Sequence, residues 1–182
     1  ISLASATVAV VGATGSIGRA VALELAPYVG RVVLVGNPAH PSQAIERLQR
    51  IAADMLDVLR ETDRGGALAA RVKQGDATVR ALVDEAFVTL CADSQSSLTS
   101  AAIVVAATSS PHALLTAEQL GHGAIVCDIS RPSNLAPGLA APPIAAAPSK
   151  DAYIEGVREA LSDFLESPRA AAPATPRWET PP

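Results

Sequence analysis

The chain has 182 residues, a formal net charge of −4 and 49% hydrophobic residues, of which aromatic ones make up only 3% of the chain. That length buries a sizeable core of Ala, Val, Leu and Ile, while the scarcity of rings and the lack of a basic block argue against base stacking or polyanion binding. No apolar span or lipidation signal appears, and two cysteines, Cys91 and Cys127, show no metal-ligand or disulfide spacing, so a soluble protein of a reducing cytoplasm with no metal site is expected.

Residues 7–11, Thr-Val-Ala-Val-Val, form the short β-branched run expected of a strand buried on both faces. Gly12, Gly15 and Gly18 follow at three-residue spacing, and residues 19–25 read as helix. Strand, glycine turn and helix together mark a dinucleotide cradle. Gly12 allows the tight turn, Gly15 admits a pyrophosphate to the backbone, and Gly18 lets the helix pack on the strand. Thr14, Ser16 and Ile17 lie inside the same turn, and the helix N-terminus offers N–H groups and partial positive charge to phosphate.

Residues 31–35 give a second buried strand, ending in Gly36 and Asn37 where an adenosine ribose would lie. An acidic residue there would hold the ribose 2′-hydroxyl of NAD(H); its absence favours NADP(H) over NAD(H). The expected Arg is also missing. His40 and Arg47 are left to meet a 2′-phosphate, and His40 reads more readily as an ordinary loop residue. A long helix is expected from Pro41-Ser42, with Ser42 as N-cap, to about Thr62. Ile45, Leu48, Ala52, Met55 and Leu59 make its apolar face.

Residues 67–100 read as a short strand at 71–74, a helix at 77–86 and a strand at 88–91, with part of the stretch an insertion. Residues 101–107 are a buried strand ending in Thr108-Ser109-Ser110-Pro111-His112. Hydroxyls at a strand's carboxyl end face a cofactor in doubly wound sheets. A short helix is expected at 113–120. His112 is a candidate proton shuttle, against the alternative of a surface histidine starting that helix. The last clear strand, 124–129, carries Cys127 and Asp128. Asp128 either hydrogen-bonds the following loop or orients a group in the site; Cys127 reads as a core residue more readily than as a nucleophile. Arg131 is open to holding an anion or to simple solvation. An Ala/Pro segment, a helix at 151–165 and a Pro/Ala-rich stretch complete the chain. Ile1 in place of Met and the proline-rich end suggest a module of a larger polypeptide.

The segments ATVAVVGATGSIG, AAIVVAATSSPHALLTAEQL and AIVCDISRPSNL resemble, in the right order, the cofactor domain of aldehyde-forming long-chain acyl-[acyl-carrier-protein] reductases. A weaker similarity reaches the shikimate dehydrogenase and glutamyl-tRNA reductase group. The resemblance implies NADP(H) on Gly12, Gly15 and Gly18, Asn37 near the adenosine ribose, and Thr108, Ser109 and Ser110 beside the nicotinamide ribose. Two departures stand out. Gly36 replaces the family's usual Arg, and residues 151–160 lack the cysteine on which that family forms an acyl thioester. Neither Tyr28 nor Tyr153 has a lysine four residues on, which argues against short-chain-dehydrogenase chemistry.

We therefore expect an α/β, Rossmann-like, doubly wound, mostly parallel sheet over residues 1–166, with 67–100 partly an insertion and 167–182 a Pro/Ala-rich tail or linker. The expected function is an NADP(H)-binding module of a reductase acting on a carbonyl or acyl thioester, small or carrier-bound. The alternative is a non-catalytic dinucleotide-binding or docking domain. Further domains of the same polypeptide are the expected partners, with neither nucleic acid nor a membrane span involved.

Overall fold

A computed structural model describes residues 2–93, 98–110, 115–136 and 139. The apolar runs form five strands: Thr7–Val11 (β1), Arg31–Val35 (β2), Val88–Cys91 (β3), Ile103–Ala106 (β4) and Ile125–Asp128 (β5). All pair in parallel in the order β3-β2-β1-β4-β5, with Val8 in register with Val32 on one side and Ile103 on the other. The continuous apolar character of the strands has a direct cause. Alternate residues serve two cores, and both faces of the sheet are covered.

On the first face, Val8, Val10, Val32, Leu34, Val88, Ile103 and Val105 pack against helices. These helices are Ser16–Leu25 (α1), Pro41–Glu61 (α2), Ala67–Val72 (α3) and Val79–Asp84 (α4). On the second face, Ala9, Val11, Val33, Val35, Val104 and Ala106 meet Leu98, Ala101 and Leu115. The amphipathic pattern of α2 is realised: Leu48, Ala52, Met55 and Leu59 are buried, joined by Ala44, Ile51 and Leu56, while Ile45 lies at the margin. Each fully buried Leu contributes roughly 1.5–3 kcal/mol by leaving water. Arg19 of α1 pairs with Asp54 of α2 at 2.8 Å across the helix surface; so exposed a pair adds less than about 1 kcal/mol.

Several local expectations are corrected. α1 begins at Ser16 rather than residue 19, because Gly15 takes an extended N-cap conformation and the helix starts at once. α2 starts at Pro41 with His40, not Ser42, as N-cap. Residues 71–74 are not a strand: Arg71 and Val72 end α3, whose Leu68, Ala69 and Val72 recur at helical spacing and are buried. Gly66 makes this docking possible, since a Cβ there would lie 2.6 Å from the carbonyl oxygen of Val29. The expected helix at 77–86 is present as α4, with Ala81 N–H donating to the N-cap hydroxyl of Thr78. Within 67–100, β3 is an edge strand of the main sheet, and α3 and α4 belong to the β2-to-β3 crossover. Of the helix expected over 113–120, residues 113–114 lie outside the described residues; in the described part, residues 117–119 make one 3₁₀ turn, closed by a capping box between Thr116 and Gln119. The helix expected at 151–165 and the tail at 167–182 lie outside the described residues. Among the described residues, no helix is long and apolar enough to cross a membrane.

The crossovers β1-α1-β2 and β2-α2-α3-α4-β3 build the sheet outward in one direction. The chain then returns past β1 to place β4 on its other side. Between β1 and β4 the loops at the carboxyl ends therefore diverge, and a crevice opens there.

Candidate functional site

The crevice is a cleft of about 830 Å³ lined by Gly12, Thr14, Gly15, Ser16 and Ile17 from the glycine turn, Asn37 and Pro38 after β2, Thr108, Ser109 and Ser110 after β4, and Ile129 and Arg131 after β5. Nine of the residues expected on a cofactor thus come together: Gly12, Thr14, Gly15, Ser16, Ile17, Asn37, Thr108, Ser109 and Ser110. Gly18 does not reach the cleft. It is buried beneath the turn, where a Cβ would collide with the carbonyl of Gly12. His40 is exposed at the start of α2 and Arg47 on its outer face, and neither lines the cleft. His112 lies outside the described residues.

The turn is held by backbone bonds. Gly12 N–H and Ala13 N–H both donate to the carbonyl of Val35 at 3.0 Å, and Ala107 N–H donates to that of Val11 at 2.8 Å. Gly12 has φ +82°, and a Cβ would sit 2.6 Å from the carbonyl oxygen of Ala107. Gly12 and Gly18 are therefore demanded by the fold itself. Gly15 is different. Its φ of −80° suits any residue, and the nearest atom to a Cβ would be the carbonyl oxygen of Gly12 at 3.3 Å, a tight contact but far from the overlap met at Gly12 and Gly18. No side chain caps α1, so its first-turn N–H groups, which a helix cannot satisfy internally, are left at the cleft lined by Ser16 and Ile17.

At the adenosine end expected from the fold, the Asn37 side-chain oxygen accepts the Ala39 N–H at 2.9 Å. Its amide nitrogen can then serve as a donor. Among the described residues that line the cleft there is no Asp or Glu, and Arg131 is the one ionisable side chain.

The opposite wall is built from the ends of β4 and β5. Asp128 accepts three hydrogen bonds from its own loop: Oδ1 from Ser130 N–H at 3.0 Å, and Oδ2 from the Ser133 hydroxyl at 2.7 Å and Asn134 N–H at 2.8 Å. Ser130 Oγ accepts Thr108 N–H at 3.1 Å, and Thr108 Oγ1 accepts Ser110 N–H at 2.8 Å. Leu115 N–H donates to the Asn134 carbonyl at 2.9 Å. Ser130 and Asn134 are buried; the sequence reading passed over both. Their signal is the spacing Asp-x-Ser-x-x-Ser-Asn after a strand, which suits a carboxylate that gathers loop N–H groups. Cys127 packs half-buried against the first-face core, and burial, with the neighbouring Asp128 adding to it, pushes its thiol up.

The arrangement can seat an extended, phosphate-bearing ligand across the strand ends, with small residues and backbone N–H groups beneath it and hydroxyls at one end. No protein-family model matches the chain, and no curated protein matches it significantly.

Proposed function

We propose that this chain binds NADP(H) across the carboxyl ends of the sheet, as the cofactor module of a reductase acting on a carbonyl or acyl thioester. One observation carries the reading. Of the three motif glycines, the fold requires Gly12 and Gly18, whereas Gly15 faces the cleft with no backbone demand for glycine. A pyrophosphate approaching the turn supplies that demand. The absence of carboxylates among the described lining residues also suits a polyanion. Asn37, offering an amide donor rather than a carboxylate, suits a 2′-phosphate better than a 2′-hydroxyl.

Gly12 to Ile17 would hold the pyrophosphate, Asn37 the adenosine end, and Thr108 to Ser110 the nicotinamide ribose. The bound cofactor would supply hydride. The chain's own share is to orient the dinucleotide and exclude water from the crevice. The resemblance to aldehyde-forming acyl-[acyl-carrier-protein] reductases favours an acyl thioester, while the missing cysteine at 151–160 argues against an acyl-enzyme formed in this chain.

A second reading, a non-catalytic dinucleotide-binding or docking module, is favoured by one feature. Among the described residues lining the cleft, Arg131 is the one ionisable group, and it is neither a nucleophile nor a proton donor at neutral pH. Calorimetry with NADPH, followed by absorbance of the reduced nicotinamide in the presence of long-chain aldehyde and acyl-thioester substrates, separates the two. Binding with turnover supports the reductase, binding without turnover the second reading, and absence of binding refutes both.

A further inference from the structure

We infer that Asp128 is a positioning residue that holds the 130–134 loop as the wall against which the nicotinamide end of the dinucleotide rests.

Arg131, Pro132 and Ser133 are exposed, and within the loop Asn134 Nδ2 donates to the Pro132 carbonyl at 3.2 Å and Leu135 N–H to the Ser133 hydroxyl at 3.3 Å. The loop is tied to the sheet by one carboxylate that receives Ser130 N–H, the Ser133 hydroxyl and Asn134 N–H. Two of these donors continue across to the loop after β4. Ser130 accepts the N–H of Thr108, a cleft residue, and Asn134 accepts the N–H of Leu115. The bonds run in series, so Asp128 fixes both the residues beside it, Ile129 and Arg131, and the hydroxyl-bearing turn facing them. Asp128 itself does not line the cleft. It acts through Ser130 and Asn134. A carboxylate suits this place because it accepts at both oxygens, whereas a carboxamide presents a donor at one of them. Asp128→Asn therefore sets an N–H against an N–H and releases at least one branch. Such an unmade bond to a charged group weakens the wall at Thr108 while the turn keeps its own backbone bonds, from Gly12 and Ala13 N–H to the Val35 carbonyl.

This inference rests on the dinucleotide reading, and the test keeps the two apart. Affinities for NADPH and for 2′-phospho-ADP-ribose, which lacks the nicotinamide, are measured by calorimetry on the whole chain. The parent protein should bind NADPH more tightly. Asp128→Asn should weaken NADPH at least tenfold, leave 2′-phospho-ADP-ribose within twofold, and abolish the rise in reduced-nicotinamide fluorescence on binding. Ser130→Ala, which removes only the link to Thr108, should show the same selectivity at about threefold, and it keeps the question open to test if Asp128→Asn fails to fold. General destabilisation would weaken both ligands alike. Equal losses for both, no loss in either variant, or equal affinity of the parent for both overturns the role of Asp128. A parent that binds neither ligand overturns the dinucleotide reading instead.

Discussion

Replacing Gly15 by Ala separates what the fold needs from what a ligand needs. In the free protein the change is close to neutral. The residue has φ −80° and ψ 163°, and among the described residues other than its chain neighbours the atoms within 4 Å of the new Cβ are the carbonyl oxygens of Gly12 at 3.3 Å and Ala107 at 3.8 Å. Ala is a poorer N-cap than Gly by roughly 0.5–1 kcal/mol, and the stiffer unfolded chain returns about 0.4–1 kcal/mol. The sum lies near zero before the Gly12 carbonyl yields to the methyl, so the urea midpoint should move far less than in Gly12→Ala. In the proposed complex, the methyl would stand where phosphate oxygens approach backbone N–H groups. A displacement that breaks one charge-assisted bond weakens binding at least tenfold, about 1.4 kcal/mol. Gly12→Ala provides the contrast. It combines a left-handed φ of +82° with a Cβ 2.6 Å from the Ala107 carbonyl oxygen. The conformation alone costs roughly 1–2 kcal/mol, before the turn is pushed from β4. Denaturation curves and NADPH calorimetry on both variants check the pair. Unchanged affinity in Gly15→Ala would refute the placement of a pyrophosphate over this turn.

Three other outcomes are expected. Asn37→Asp keeps the acceptor for Ala39 N–H but puts negative charge at the adenosine end, so the ratio of NADPH to NADH affinity should fall at least tenfold; an unchanged ratio would remove Asn37 from that subsite. Arg71 holds Glu85 at 2.6 Å and Asp76 at 2.8 Å, and these bonds keep both carboxyls below their usual range. Groups with depressed folded-state pKa values contribute stability above the unfolded value, about 4, and lose it as pH falls through the folded one. The Tm deficit of Arg71→Gln should thus be full at pH 6 and shrink below pH 4, and a deficit that does not change between the two would count against the linkage. Because burial raises its pKa, Cys127 in a Cys91→Ser background should react with thiol reagents only slowly at pH 7; rapid labelling there would restore it as a candidate nucleophile.

The strands were legible because they report a local fact. A residue run apolar at every position, as in 8–11, 32–35 and 101–107, has no polar face to give to solvent, and both faces of β1, β2 and β4 are indeed buried over these residues. The long helix was legible for the same reason at another period. Residues 67–75 were not, because α3 is only six residues long, too short to display a period, and it is fixed by contacts far away in sequence. Gly66 N–H donates to the Pro27 carbonyl and Leu68 N–H to that of Val29. The 3₁₀ turn at 117–119 escaped likewise, since one capping box decides it.

The candidate site divides along the same line. Its glycine-turn half is written in a dozen consecutive residues, because strand, turn and helix are neighbours in the chain, and each glycine leaves its own mark. The other half is assembled from two loops whose pairing crosses 22 residues, from Thr108 to Ser130. Sequence reading found Asp128 by its type and place at a strand end, yet it took Ser130 and Asn134 for ordinary loop residues. What distinguishes them is burial and a partner, and neither is a property of a single residue. Asp128 was the one legible member because a carboxylate that closes an otherwise apolar strand, here the half-buried edge strand β5, has to be either compensated or used. The structure compensates it completely within its loop, with three donors on two oxygens. On the proposed reductase reading, that moves the search for a proton donor away from Asp128.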